Sequence, residues 1–205
     1  MQLVETPIQM ITGPIRLFVF ACFLDDAVKR GTITPAGLQE QMTLHEGAGW
    51  GITLKKPHTA DELKHGTQNL MLTTLGTTTL ATGKALEVVY EAKPDPEDTS
   101  QFGSARVLIY QIRCAFAHDP LNPVWAPTKS YAHNYRLTVP VNRPVGELDT
   151  ERVIEFNPHA LMATSLNPKQ FGGLGGYLGL LTYFQKTLEN HPKGNQAYPY
   201  PPEMP

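Results

Sequence analysis

Cysteine is scarce in this chain of 205 residues, which contains only Cys22 and Cys114. Neither belongs to a CxxC or a Cys/His pattern, so a structural zinc site is not expected. One disulfide between them is conceivable, but their apolar, helix-like surroundings favour reduced thiols in the core of a cytoplasmic protein. We expect neither a metal ion nor a cofactor, because metal-ligand spacing is also missing around His45, His58, His65, His133 and His191.

An excess of charge of either sign is missing as well. The chain has 17 Lys and Arg against 19 Asp and Glu, for a net charge of -2. This balance argues against a basic footprint for nucleic acid or membrane over the whole surface. A site for an anionic partner would therefore be small and local.

Long hydrophobic runs are absent too. The longest apolar stretch is Ile15–Leu24, interrupted by Arg16, and it is shorter than the roughly 20 residues of a transmembrane helix. The N-terminus has no basic segment before its first apolar run, so it is not typical of a secretory signal. These features predict a cytoplasmic protein with no membrane partner.

What the chain does contain is enough apolar sequence for a folded core. The apolar fraction is 41% and the charged fraction 18%, values typical of globular proteins. The length predicts one domain, which we place at residues 1–192. The remaining residues, 193–205, include Tyr-Pro-Tyr-Pro-Pro and predict an extended, proline-rich tail.

Four substantial helices are predicted from apolar periodicity and from Pro and Gly punctuation. The first, residues 13–31, is apolar around much of its circumference, so we expect it to be buried. The second, residues 59–92, begins with a capping box formed by Thr59 and Glu62. The others are 98–118, which ends before Asp119-Pro120, and 171–190.

The segment between the last two helices changes character. Residues 135–141 and 152–156 predict two short strands joined in a hairpin over about 135–156. A further short helix is predicted at 34–41, and residues 50–54 are predicted to form a strand or a connection. The predicted fold is thus mainly α, a four- to five-helix bundle with a small β-hairpin inserted before the last helix.

The residues that could carry chemistry lie at the end of the third helix. Arg113 and His118 are five residues apart, and Asp119 follows directly. Five residues turn an ideal helix by about 140°, but unwinding of the last turn would let Arg113 approach the imidazole. His118 could remove the 2′-OH proton of RNA, Arg113 could stabilise the crowded phosphate, and Asp119 could orient the histidine.

This segment resembles the HEPN superfamily in its R-x4–6-H pattern, here Arg113 to His118, and in the apolar-Arg and Ala-His contexts around it. The layout is similar as well: a helix bundle, a late motif, a short β excursion and a last helix. The resemblance implies a metal-independent ribonuclease or RNA-binding protein of a toxin–antitoxin or defence system. It also implies a homodimer with both motifs in one cleft, and an antitoxin or another protein as partner. Cys114 departs from the polar residue that usually follows the arginine.

A second interpretation of the same residues is structural. Arg113 could pair with a carboxylate of a neighbouring helix, and His118 could stabilise the C-terminus of its own helix. The chain would then be a non-catalytic, dimeric interaction module that keeps the fold. A second spacing match, Arg152 and His159, falls in a predicted strand and is the wrong context.

Two other features have both a functional and a structural interpretation. The glycine-rich segment 172–179 suggests a phosphate loop, but it lacks a preceding strand and a Gly-Lys-Ser/Thr end, which favours close helix packing. Trp125 and Tyr131 could stack on a base, although aromatic residues at such positions more often close a core.

Overall fold

The computed structural model describes residues 5–38, 40–46, 50–57, 59–141 and 150–197. Its main elements, in chain order, are α1 (Pro7–Lys29), β1 (Gln41–Glu46), β2 (Trp50–Lys55), α2 (Ala60–Tyr90), α3 (Gln101–His118), β3 (Tyr135–Val141), β4 (Thr150–Phe156) and α4 (Gly173–Glu189). The fold is mainly helical, with four substantial helices and an antiparallel hairpin before the last one. This part of the prediction is confirmed.

The chain divides into two compact units. One comprises the residues up to 16 together with those from 75 onward, and the other comprises residues 17–74. Both long helices, α1 and α2, contribute to each unit. The expectation of a single domain over residues 1–192 stays a prediction.

Helix α3 forms the centre of the larger unit. Its N-cap is Ser100, whose side chain accepts a hydrogen bond from the Gly103 amide at 3.1 Å. Ten of its 18 residues are buried. Apolar side chains of α4 complete this core, among them Tyr177, Leu180, Leu181, Phe184 and Leu188.

The hairpin β3–β4 packs one face on this core. The two strands are antiparallel, with Tyr135 opposite Phe156 and Val141 opposite Thr150. Tyr135, Leu137 and Val139 are buried, whereas Arg136 between them is exposed, as the period of two requires. Strand β3 packs on both α3 and α4.

Glycines allow several of these elements to approach closely. A Cβ at Gly76 of α2 would lie 2.6 Å from the Phe116 ring of α3, and one at Gly179 of α4 would lie 2.2 Å from the Pro140 carbonyl oxygen of β3. Helix α2 runs through Gly76 and Gly83 as a single element. The absence of a side chain therefore permits close packing at these positions, and in the glycine-rich segment Gly179 approaches strand β3 rather than the neighbouring helix that the sequence predicted.

The smaller unit combines the second half of α1, the first half of α2 and a hairpin. Strands β1 and β2 are antiparallel, with Gln41 opposite Lys55. The buried carboxylate of Asp25 accepts a hydrogen bond from the Thr67 hydroxyl at 3.2 Å and pairs with Lys29 at 2.5 Å. This arrangement holds α1 against α2, because a buried charge must be paired. The capping box of α2 is confirmed by reciprocal bonds between Thr59 and Glu62 of 3.2 and 3.1 Å.

The structure corrects the sequence prediction in this unit. The segment predicted as a short helix at 34–41 forms only a 3-10 turn, Pro35–Gly37, and then enters β1. The ambiguous segment at 50–54 is strand β2, so the chain has a second hairpin that the sequence did not predict. In the larger unit, helix α1 begins at Pro7 rather than at residue 13. Pro14 lies within the helix, not in its first turn as predicted.

The burial of α1 was predicted wrongly. Leu17, Phe20 and Phe23 are 49%, 60% and 70% exposed. Among the described residues, α1 is also the one helix that is long and apolar enough to cross a bilayer, with a mean hydropathy of 1.5 over its most apolar window. From the sequence, only the apolar run Ile15–Leu24 was compared with the length of a transmembrane helix, whereas the whole helix is longer than that run. This is weak evidence for a span, since core helices and signal sequences share these properties.

The predicted tail begins with an ordered turn. The Ile8 amide donates to the Gly194 carbonyl oxygen at 3.2 Å, and Lys193 pairs with Glu91. The rest of that segment, from residue 198, lies outside the described residues, as does the hairpin loop 142–149.

Candidate functional site

Arg113 lies in the α2–α3 contact. Its Nη1 donates to Oε1 of Glu87 on α2, and both side chains are 28% exposed. The aliphatic part of Arg113 crosses Gly83, one turn before Glu87, where a Cβ would lie 2.8 Å from Cδ of the arginine. The sequence folds this way because Gly83 leaves room for the arginine and Glu87 neutralises its charge.

His118 is the last residue of α3 and is exposed. Among the described residues, no hydrogen bond or ion pair joins its imidazole to Arg113 or to Asp119. The helix stays regular to its end, so the turn of about 140° between positions 113 and 118 is kept. Arg113 consequently faces α2, while His118 is on a different side of α3.

Asp119 forms the C-cap of α3 and shapes the loop that follows. Its backbone amide donates to the Ala115 carbonyl oxygen at 3.3 Å. Its Oδ1 accepts from the amides of Leu121 and Asn122 at 3.1 and 3.0 Å. In this structure the carboxylate of Asp119 thus organises a turn.

A second arginine lies on the same face of α3 as Arg113. Arg106 donates through Nη2 to the Ala92 carbonyl oxygen, and its guanidinium lies 5.0 Å from the centre of the Tyr90 ring. Burial lowers the pKa of Arg106 from its ordinary value, an effect opposed by Tyr90 and Asp98 among others. Its high ordinary pKa keeps the guanidinium charged at neutral pH.

The space between these arginines is too small for a ligand. A cavity of about 10 Å³ is lined by Glu87, Arg106, Tyr110 and Arg113, among others. That volume holds at most about one water molecule. The two arginines and one glutamate therefore form a filled, mostly satisfied polar contact rather than an open anion site.

Cys114, next to Arg113, is not poised as a nucleophile. Burial raises the pKa of its thiol, and the opposing effects of the Tyr110 hydrogen bond and of Arg113 are smaller. A raised pKa keeps the thiol protonated at neutral pH, and the thiolate is the reactive form. Cys22 and Cys114 are both free thiols in the structure.

The aromatic residues after the motif belong to the core. Trp125 is 1% exposed, and its indole donates to Oε1 of Gln170 at 2.8 Å. The Tyr131 hydroxyl donates to the Pro94 carbonyl oxygen at 3.1 Å. The structural interpretation of both residues is confirmed, and base stacking on them is excluded by their burial.

The remaining sequence candidates do not add to the site. Arg152 donates to the Gly172 carbonyl oxygen, at the turn before α4, and His159 is exposed in a 3-10 turn. Within the described ranges, no group of three His, Cys, Asp or Glu side chains could hold a metal ion.

The structural interpretation, in which Arg113 pairs with a carboxylate of a neighbouring helix, is confirmed, but that carboxylate was not identified from the sequence as Glu87. The signal available was the spacing of Gly83 and Glu87, which places a gap and a carboxylate one turn apart on the same face of α2. That spacing becomes informative only once α2 and α3 are known to pack together at this level.

Comparison with known proteins gives no relative from which a function could be transferred. No protein-family model, no curated protein and no solved structure matches this chain.

Proposed function

We propose that this chain is a non-catalytic interaction module of the cytoplasm, with a helical fold similar to that of HEPN proteins. The observation that supports this proposal is the ion pair between Arg113 and Glu87. A phosphate-stabilising arginine needs donors that are free to meet the charge developing in the transition state. In this chain Nη1 of the guanidinium is already paired with the Glu87 carboxylate, and the histidine is on another side of the helix.

The cost of releasing Arg113 also favours this proposal. The pair is partly buried, so a phosphate would have to displace Glu87 and leave that carboxylate without its counter-ion beside the incoming negative charge. An interaction module has no such requirement. It needs surface that is open to a partner, and α1 offers exposed Phe20 and Phe23.

The second candidate is metal-independent RNA cleavage by Arg113 and His118, with Asp119 as the orienting residue. Its support is the exposure of His118 at the end of α3, where an imidazole is open to substrate. Such a reaction would proceed in EDTA and leave a cyclic phosphate, because the 2′-OH would be the attacking nucleophile.

An RNA-cleavage assay in EDTA distinguishes the two candidates. It compares the wild type with His118→Ala and with Glu87→Gln, which releases Arg113 from its counter-ion. Glu91→Gln is the matched control, since Glu91 forms an exposed pair with Lys193 away from the motif. We expect no cleavage by any of the four proteins.

Cleavage by the wild type that His118→Ala abolishes would overturn the interaction-module proposal. Cleavage that appears only in Glu87→Gln, and disappears in Glu87→Gln with His118→Ala, would also overturn it. That second result would show a competent site masked by the ion pair.

A further inference from the structure

Helix α1 has an exposed face made of large apolar side chains. Leu17, Phe20 and Phe23 are spaced by three residues and are 49%, 60% and 70% exposed. Phe18, Ala21 and Asp25 of the same helix are buried on the other side. Leaving two phenylalanines and a leucine in water is unfavourable by about 25 cal/mol for each Å² of apolar surface. A partner that covered this face would recover that free energy.

A lipid surface is a poor match for the charges around this face. Binding of an amphipathic helix to anionic membranes gains strength from free cations beside the apolar face. Of the three cations in and directly after α1, Lys29 is paired with Asp25 and Arg30 with Asp26 at 2.9 Å, which leaves Arg16 without an ion pair among the described residues. One unpaired cation gives only a weak attraction to anionic lipids.

The charges that flank the face are instead complementary to those of a second copy. Arg16 and Asp26 are both exposed, and among the described residues no ion pair is found for Arg16. Arg16 and Asp26 are ten residues apart, about 15 Å along the helix axis, and the midpoint between them is next to Phe20. A two-fold axis through that midpoint places Arg16 of one copy opposite Asp26 of the other, whose carboxylate also pairs through Oδ2 with Arg30 of its own helix.

The angular positions agree with this pairing. On an ideal helix Arg16 lies about 20° from Phe23, and Asp26 lies about 60° from Phe23 on its other side. Phe23 lies at one edge of the exposed apolar face, so both charges lie near that edge. In an antiparallel pair of helices related by a two-fold axis, the same edge of the two helices meets, so both Arg16–Asp26 contacts form at once.

We infer that the Leu17–Phe20–Phe23 face of α1 binds the same face of a second copy, antiparallel, with Arg16 of each copy paired to Asp26 of the other. This inference rests on the proposed function and identifies the partner and the surface.

One helix face buries less than the roughly 800 Å² per partner of a standard interface. We therefore expect a dissociation constant in the micromolar range.

Sedimentation velocity from about 1 to 200 µM tests the surface. Phe20→Glu is expected to weaken dimerisation at least tenfold, because it puts a carboxylate at the centre of the apolar contact. Leu121→Glu is the matched control, since Leu121 is 75% exposed in the loop after α3. It should leave dimerisation unchanged, and circular dichroism should show both variants folded.

A charge exchange tests the orientation. Arg16→Asp and Asp26→Arg should each weaken the homodimer, because each change creates two like-charge contacts. Mixing the two variants should give a heterodimer tighter than either homodimer, since both contacts then join opposite charges. Native mass spectrometry of the mixture measures the three species.

A wild type that is monomeric at 200 µM would overturn the inference, as would dimerisation unaffected by Phe20→Glu. The absence of heterodimer preference would overturn the antiparallel pairing. Flotation of a monomer with phosphatidylcholine–phosphatidylserine vesicles, lost in Phe20→Glu, would assign the face to lipid. None of these results depends on RNA cleavage, so failure of the inference is distinguishable from failure of the proposed function.

Discussion

The hydroxyl oxygens of Thr79 and Tyr177 lie 2.7 Å apart in the core and join α2 to α4. Both hydroxyls also lie within hydrogen-bond distance of the Leu75 carbonyl oxygen, at 2.9 Å for Thr79 and 3.1 Å for Tyr177. Tyr177 is fully buried, and burial raises the pKa of its phenol despite the Thr79 hydrogen bond. The three groups form a buried polar network between α2 and α4.

Tyr177→Phe should lower the free energy of unfolding by about 0.5–1.5 kcal/mol, the net contribution of one neutral hydrogen bond. The loss stays small because Thr79 keeps the Leu75 carbonyl as its partner. Urea unfolding measures the effect. Thr79→Val should lower the free energy of unfolding by a similar amount. The double variant should lower it by less than the sum of the two single variants, because either change alone removes the bond that the two hydroxyls share. Strict additivity would show that the two hydroxyls act independently.

Gly179 and Gly175 provide a matched pair on α4. A Cβ at Gly179 would lie 2.2 Å from the Pro140 carbonyl oxygen, whereas one at Gly175 would be 3.7 Å from Val141. Gly179→Ala should destabilise the protein by about 1–3 kcal/mol, since β3 must move away. Gly175→Ala should stabilise it by up to about 1 kcal/mol through helix propensity. Thermal unfolding followed by circular dichroism gives both values, and equal effects would contradict the close α4–β3 contact.

The parts of the fold with strong local signals could be predicted from the sequence. Thr59 and Glu62 mark the beginning of α2, and Asp119-Pro120 marks the end of α3, because capping and proline geometry act within a few residues. The hairpin β1–β2 was missed because residues 34–41 were assigned to a short helix, which left Trp50–Lys55 without a predicted partner strand. Gly47 and Gly49, which lie between the two strands in the sequence, are a turn signal that was available.

The candidate site was only partly predictable for a different reason. Arg113 and His118 are recognisable in the sequence, but the side of α3 that each occupies relative to α2 depends on tertiary packing. Glu87 is 26 residues from Arg113 along the chain. The exposed face of α1 was also out of reach, because an apolar helix is equally consistent with a buried element.

The crossing of Arg113 over Gly83 gives a prediction about the α2–α3 contact. Gly83→Ala should destabilise the protein by about 1–3 kcal/mol, because the new Cβ would lie 2.8 Å from Cδ of Arg113. Combining it with Arg113→Ala should remove most of this steric cost, so the double variant should be less destabilised than the sum of the two. Gly66→Ala on the same helix is the control, since it has open space around it. Urea unfolding of the four variants tests the contact, and additive costs would contradict it.

Tyr131 makes stability depend on alkaline pH. Burial, followed by Tyr110 and Cys114, raises the pKa of its phenol to about 12, against about 10 for an unfolded tyrosine. Between these values the unfolded chain releases the proton while the folded chain keeps it. The unfolded state then binds fewer protons, so the free energy of unfolding falls as the pH rises, by up to about 1.4 kcal/mol per pH unit from this residue. Below pH 10 both states hold the proton, and Tyr131 adds no pH dependence.

Urea unfolding of the wild type and Tyr131→Phe at pH 8, 9, 10 and 11 measures this effect. At pH 8 the variant should be less stable by about 0.5–1.5 kcal/mol, because it loses the hydrogen bond to the Pro94 carbonyl oxygen. Above pH 10 the difference should shrink, since the variant lacks the ionising phenol. Comparing the two proteins cancels the other groups that titrate in this range, among them Tyr90 and Tyr135, whose phenol pKa values burial also raises. If the free energies of unfolding of the two proteins stayed parallel up to pH 11, Tyr131 would have the same pKa in the folded and unfolded states. That result would contradict the raised pKa in the folded state.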